Sequence, residues 1–430
     1  MINNKKLIFL QLNEVNFSLI DKYFGTNKIE HFKKMYSNGL VETISEDDYD
    51  LLEPWIQWYS INTGLDAKSH GVFRLGDCVN VDHRQFYEIL EGQGLKVGAI
   101  SPMNTENRLI NSSYFISDPW TNTKSSGGKI IKEIARSISQ VINDNSKSKI
   151  SLRSFLVLIT AFILYSSKKR IFFYAKLVFT SIWLKWRRAI FLDLLLHDIH
   201  IKLYKKYTPN LSVIFLNGCA HIQHHYFFNS FTFKKNKNPK WYINKKYDPF
   251  FEVLCAYDLI IKETQNIEDV DIIMSTGLSQ ELNENLEIYY RLTHHENFCK
   301  LLGIKYSSVL PRMSRDFLIN FNKKEDLIDA KQKLANCIYH GEKLFGIIDE
   351  KNNSLFVSLT YNKEIKNETE FHFYDKNIDI KNLFTFVAIK NGKHCQKGYL
   401  YGQGKIQKFL PGQNAHISKI FDSIIKYFAT

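Results

Sequence analysis

Close cysteine pairs are missing from this chain. Its six cysteines, Cys78, Cys219, Cys255, Cys299, Cys337 and Cys395, are scattered, and no two stand at zinc-site or redox spacing. That leaves no cysteine-based metal module to propose. It fits a reducing compartment, where cysteines serve as small buried apolar residues. Proline is scarce, with 8 in 430 residues, which argues against a linker-rich array. No internal repeat and no low-complexity tract is found, so a solenoid is excluded. Apolar runs are short, and none reaches the roughly 18 residues needed to cross a bilayer. At the N-terminus, "LIFLQL" follows Lys5 and Lys6. It is too short for a signal-peptide core and has no small-residue cleavage site, so a cytoplasmic location is expected.

Hydrophobic residues make up 44% and aromatics 14%, enough for a large buried core. The length suits one large α/β domain with insertions, or two domains. The formal charge is +13. Such a surface attracts phosphate-bearing partners: nucleic acid, anionic lipid headgroups, or phosphorylated and nucleotide-linked molecules. Lysines also simply keep a chain in solution. No zinc finger, RNP-like aromatic motif or helix-turn-helix pattern stands out, so nucleic-acid binding would rest on charge alone.

"KLIFLQL", "LKVGAIS", "LSVIFLNG" and "VDIIMST" are short apolar runs that end in polar residues. Buried parallel strands read this way when their C-terminal ends open into a site. Helical stretches such as "RQFYEILEGQG" and "PFFEVLCAYDLIIKETQ" lie between them. The expected fold is α/β: a mostly parallel central sheet with helices on both faces and ligands at the carboxyl ends of the strands. Asn13, "NGCAHIQHH" and "STGLSQ" all fall at such ends.

Residues 151–206 are read as a separate basic helical insertion between core segments 1–150 and 207–430. "FLVLITAFILY" and "IFFYAKLVFTSIWL" alternate with Lys168, Lys169, Arg170, Lys185, Arg187 and Arg188. This describes a helical cap packed on the core, a segment lying on an anionic membrane surface, or both. Further on, Leu310–Lys351 reads as helical and polar. "SLFVSLTY" and "FHFYDKN" read as strands, "LFTFVAIKNGKHCQKGYLYGQG" as a strand and a Gly-rich loop, and "HISKIFDSIIKYF" as an amphipathic helix.

Two segments carry a family resemblance. "PWIQWYSINTGLDAKSHGVF" contains Thr63-Gly64-Leu65 and then His70-Gly71. "NGKHCQKGYLYGQG" contains His394 four residues before Gly398. The chain thereby resembles the alkaline phosphatase superfamily, nearest its type I phosphodiesterase-like branch. "VIFLNGCAHIQHHYF" and "VDIIMSTGLSQ" match more weakly in the family's order. The resemblance implies an alkaline phosphatase-like core and phosphoryl or sulfuryl transfer. A hydroxyl or formylglycine nucleophile would attack, assisted by divalent metals, zinc or manganese.

The sequence departs from that pattern at several positions. The family's first aspartate is Asn13 here, followed by Glu14. The nucleophile position holds Pro54, which leaves its neighbour Glu53 as the candidate nucleophile or general base. The alternative for Glu53 is a loop cap or an ion pair. An expected aspartate is Ala220, while His224 keeps the family's histidine. His221 and His225 are extra, and four residues apart they share a helix face. The later Asp-His is replaced by Thr276 and Gly277. The resemblance therefore leaves His224 and His394 as metal ligands, with Asn13, His221 or Glu14 as replacements, and Glu53, Glu14 and His225 as catalytic groups. Two imidazoles alone hold zinc poorly, so either a carboxylate completes the site or the chain works without metal.

Substrate contacts are expected from Arg312 and Arg315, read as one helix face suited to phosphate or carboxylate, or as ion-pair partners of acids such as Asp316. Trp55 and Trp58 are read as an aromatic wall or as core. His294 and His295 are left open between site and structure. Three functions follow. The first is a hydrolase or transferase of phosphoesters or phosphate-linked sugars, with a place in making surface glycans. The second is a binding protein that has lost the chemistry. The third is a metal-free glycan enzyme using Glu14 and Glu53 across a cleft.

Overall fold

The structure is a computed structural model that describes residues 4–143, 151–233, 237–312, 315–366 and 369–430. The chain begins with strand β1 (Leu7–Leu12), helices α1 (Phe17–Ile20) and α2 (Glu30–Ser37), and strand β2 (Val41–Ile44). Helices α3 (Pro54–Thr63), α4 (Ala67–His70) and α5 (Phe86–Gly92) follow, then strands β3 (Val97–Ile100) and β4 (Tyr114–Ile116). Next come α6 (Lys129–Asn143), α7 (Leu152–Tyr165), α8 (Ile171–Thr180) and α9 (Arg187–Tyr207). The core resumes with β5 (Leu211–Leu216), α10 (Gly218–Tyr226), α11 (Pro249–Gln265), β6 (Asp271–Ser275) and the long strand β7 (Ser279–Leu292).

A second group of elements is then inserted: α12 (His295–Leu301), β8 (Ser308–Pro311), β9 (Asp316–Asn320), α13 (Lys324–Ala335), β10 (Cys337–Tyr339), β11 (Glu342–Lys343), β12 (Phe345–Lys351), β13 (Ser354–Leu359), β14 (Glu370–Phe373) and β15 (Lys376–Asp379). Strands β16 (Phe384–Cys395), β17 (Lys397–Gln403) and β18 (Ala415–His416), with helix α14 (Lys419–Ala429), complete the chain.

Eight strands form the main sheet in the order β18-β2-β17-β6-β1-β5-β3-β4. From β6 to β4 all neighbours are parallel. β1 and β5 are buried along their whole length, because helices cover both faces and an unbroken apolar run satisfies both. One face is packed by α2, α6, α9, α10 and α11, the other by α3, α5 and α14. The α/β expectation and its four strands hold.

β17 is antiparallel to β6, with Leu400 opposite Ser275. Its first residues therefore lie at the rim where β1, β5 and β6 end. β16 runs beside β7 as a two-stranded ribbon leaving that rim, with His394 opposite Gln280. What reads in sequence as a Gly-rich loop is thus two strands. Gly398 is required there, since a Cβ would lie 1.9 Å from the carbonyl oxygen of Gly277.

The helical reading of Leu310–Lys351 is corrected: only α13 is an α-helix, and β8–β12 fill the rest. Burial along β9 alternates with the period of a half-buried strand. Arg312 and Arg315 consequently do not share a helix face. They flank residues 313–314 in the connection between antiparallel β8 and β9. Residues Ile288 to Ile389 have an apolar core of their own.

Candidate functional site

The rim is built from the ends of adjacent strands. Leu12 is paired with Leu216, and Gln11 with Ser275, so Asn13, Asn217 and Thr276 leave the sheet side by side. Asn13 N–H donates to the Leu216 carbonyl at 3.1 Å and Glu14 N–H to the Thr276 carbonyl at 3.0 Å. Glu14 has a φ of 59°, a left-handed conformation that costs a non-glycine residue energy and is held by its surroundings. Its carbonyl accepts from Gln223 Nε2 at 2.7 Å and from Gln280 N at 3.2 Å. This bend turns the Glu14 carboxylate into the rim instead of along the strand.

The carboxylate is 2% exposed and meets two imidazoles. Glu14 Oε2 stands 3.2 Å from His224 Nε2 and 3.3 Å from His394 Nε2. Oε1 accepts from Asn13 Nδ2 at 2.9 Å, and Gln280 Nε2 donates to Oε2. Burial alone would raise the pKa of Glu14. The positive charge available on His394 and His224, and their hydrogen bonds, outweigh burial and hold it far below the carboxylate range. The reverse holds for His394. Burial would lower its pKa, yet the Glu14 charge raises it above that of ordinary histidine.

The three groups fit a metal ion. Their ligating atoms lie within 4.8 Å of one another, and among the described residues they form the one cluster of this kind. Ligands about 2.0–2.1 Å from a tetrahedral centre are separated by about 3.3 Å, and Glu14 Oε2 lies 3.2 and 3.3 Å from the two imidazole nitrogens. Two imidazoles and one carboxylate are a known zinc donor set that leaves a fourth position for water or substrate. His394 Nε2 is buried, and its polar neighbour is the Glu14 carboxylate oxygen at 3.3 Å, an arrangement that suits a ligating nitrogen.

Glu53 lies on the far side of His394, with Oε2 3.7 Å from Nδ1. It precedes α3, whose first residue is Pro54, a favoured helix start because its missing N–H would be unpaired there. Burial raises the Glu53 pKa, against the opposing pull of His394. The imidazole of His394 thus separates the two carboxylates.

Asn13 is tied into hydrogen bonds on both sides of its amide. Its Oδ1 accepts from Trp58 Nε1 at 2.7 Å, and its Nδ2 donates to Glu14 and, at 2.8 Å, to Asn217 Oδ1. The amide therefore turns its donor side, not its oxygen, towards the site. Trp58 is fully buried, so it positions Asn13 and forms no wall against a ligand. Trp55 is half-buried, and its indole donates to the Phe73 carbonyl at 3.1 Å.

Along α10 each residue turns by about 100°, and only His224 faces Glu14. His221 and His225 share another face, their ring centroids 4.8 Å apart. Neither belongs to the Glu14, His224 and His394 cluster, so the structure does not bring His221 or His225 together with it. Burial holds His225 neutral, well below the usual histidine range. Arg312 is exposed, and the Arg315 guanidinium sits over the Tyr289 ring, 4.4 Å from its centroid.

The sequence reading passed over the amides that hold the site. Gln223 and Gln280 brace the backbone and side chain of Glu14, and Asn217 braces Asn13. Gln223 lies inside the histidine cluster and Gln280 ends "STGLSQ", so their places in the two segments that follow β5 and β6 were the available signal. Asp193 of α9 accepts from Gly218 N at 2.6 Å and from Tyr257 Oη at 2.6 Å. It caps the start of α10, which has no side-chain cap of its own. Lys390 lies close enough for its charge to act on both Glu53 and His394.

No family model and no curated protein matches the sequence. Among solved structures, phosphonoacetate hydrolase from Sinorhizobium meliloti 1021 in complex with phosphonoacetate is 9% identical, with a TM-score of 0.41 over 98% of this chain and 96% of that one. Murine ectonucleotide pyrophosphatase/phosphodiesterase 5 is 10% identical, with a TM-score of 0.42 over 99% and 95%. Alkaline phosphatase from the Antarctic bacterium TAB5 is 10% identical, with a TM-score of 0.38 over 99% and 98%. These proteins are members of the superfamily that the two sequence segments resemble. At such identities and TM-scores, activity and ligands must be argued from this chain's own residues.

Proposed function

We propose that the chain is a metal-assisted hydrolase or transferase of phosphoesters, with a phosphodiester or phosphate-linked sugar as substrate. The observation that carries this reading is the meeting of Glu14, His224 and His394, from three distant parts of the sequence, at the carboxyl rim of the parallel strands. A divalent cation held by these three residues would supply positive charge to stabilise negative charge building on phosphoryl oxygens. Charge supports the same substrate class: the net +13 of the chain favours an anion.

The protein's own groups divide the remaining work. Glu14 is ionised, as a ligand must be. Glu53 faces Nδ1 of His394, where a carboxylate fixes the ring and keeps Nε2 free to ligate. Pro54 has no nucleophilic atom, so the attacking oxygen in this reading belongs to water or to an acceptor hydroxyl. Glu53, more exposed than Glu14 and raised in pKa by burial, is the group suited to take the proton from it. Synthesis or trimming of surface glycans is the setting in which phosphate-linked sugars would be met.

The test is a screen of the purified chain, with zinc or manganese, on generic phosphodiesters and sugar nucleotides. Turnover that disappears in Glu14→Gln and His394→Ala supports the reading. No turnover on any substrate, together with no bound metal, rejects it. That second result would favour a binding protein, the alternative supported by Pro54 and by Thr276 and Gly277 standing where the family has charged groups.

A further inference from the structure

The helical insertion buries one side and leaves the other unusually apolar. Ala161, Tyr174 and Leu177 are buried against α9 and the core. An anchored ion pair fixes the turn between α7 and α8: Arg170 meets Asp198 and Glu263, and Tyr174 Oη donates to Asp198 at 2.6 Å. The outer face is therefore held in place. On it, Phe155, Ile159 and Ile163 of α7 recur at one-turn spacing and are exposed. Phe172, Phe179 and Trp183, on α8 and the turn after it, are 88%, 64% and 65% exposed. A solvent-facing stripe on a helix of this kind is normally polar, and exposed apolar area concentrated in one place marks an interaction surface.

Charge selects the occupant. Residues 151–192 contain eight basic residues and no acidic one. Arg153, Arg170 and Arg187 pair with acids of neighbouring helices. Lys168, Lys169, Lys176, Lys185 and Arg188 are exposed and form no ion pair among the described residues. A second copy of the chain would bring the same positive charge against this face and be repelled. An anionic bilayer surface accepts both features, the apolar stripe in its acyl boundary and the lysines among its headgroups. Spanning is not required of it: among the described residues no helix is long and apolar enough to cross a membrane, and the 14 residues of α7 extend about 21 Å against a hydrocarbon core of about 30 Å.

We infer that α7, α8 and the following turn form a monotopic docking surface for an anionic lipid bilayer. The test uses the full chain and two sets of extruded vesicles, phosphatidylcholine alone and phosphatidylcholine mixed with phosphatidylglycerol, separated by flotation. The chain floats with the mixed vesicles at least about tenfold more than with the neutral ones, and added salt reduces the bound fraction. The triple variant F172S/F179S/W183S, and separately K168E/K169E, each lower that fraction about tenfold or more. Both keep the wild-type circular dichroism spectrum and Tm, since every changed side chain is exposed. A chain that stays off the mixed vesicles, or binding unchanged in both variants, overturns the inference. A lipid-free dimer that the triple variant dissolves overturns it too, by assigning the face to a second copy.

Discussion

Glu14 and His394 come from opposite ends of the chain, and Oε2 of the first stands 3.3 Å from Nε2 of the second. The contact exists because β17 is antiparallel to its neighbour. The segment before it therefore arrives where the parallel strand β1 leaves. Against the effect of burial, His394 helps to keep the Glu14 carboxyl ionised, as a metal ligand must be, while Glu14 raises the pKa of His394.

Metal content follows directly from this contact. The purified chain is expected to carry about one divalent ion, measured by mass spectrometry after dialysis. Glu14→Gln and His224→Ala should each bring it to near zero, because two donors hold the ion poorly. Glu53→Gln should retain the ion with affinity reduced about 10- to 100-fold, the usual effect of losing a carboxylate behind a ligating histidine.

Glu53 as proton acceptor predicts a pH dependence. A base works when ionised, and burial has raised its pKa. Activity should therefore rise with pH through that raised value and level off above it. Glu53→Gln should lower kcat about 10²- to 10⁴-fold and remove this acidic limb. An unchanged limb in the variant would move the base to another group.

Trp58→Phe tests the support beneath the site. It removes the N–H that occupies Asn13 Oδ1 and leaves a buried acceptor unpaired, at a cost of about 1–3 kcal/mol. Urea unfolding measures the loss. The freed amide can also flip and withdraw its donor from Glu14, so activity should fall further than the stability loss explains.

His70 predicts acid sensitivity away from the site. It is 2% exposed, its Nδ1 accepts from Val72 N at 3.0 Å, and Nε2 lies 3.0 Å from Ser60 Oγ. Burial first, and the neighbouring His83 next, push its pKa down to about 4. The folded value lies below the unfolded one near 6.5, so the unfolded chain takes up the proton first. This contribution is complete above about pH 6.5 and is lost as pH falls through 4, to a total on the order of 3 kcal/mol. Unfolding midpoints between pH 4 and 7 should show that slope, and His70→Asn should flatten it.

Much of this was readable from the residues. Leu7–Leu12, Leu211–Leu216 and Asp271–Ser275 are strands in their own right, since unbroken apolar runs this short and bounded by polar residues suit a sheet covered on both sides. Their polar ends marked the rim, and His224 and His394 were legible as its occupants. The segment after Leu310 was misread because its strands are short and half-buried and flank a genuine helix, α13, so local pattern blurs the two and only the cross-strand partners distinguish them.

The sequence by itself determined which short runs become strands, where those strands end, and which chemical groups stand at the ends. It did not determine the direction those groups face. That depends on the left-handed turn at Glu14, on the 100° step that admits His224 and turns His221 and His225 aside, and on the Trp58 indole that fixes which side of the Asn13 amide meets the carboxylate. Each is set by hydrogen bonds to residues far away along the chain, so it exists only once the sheet has brought them together.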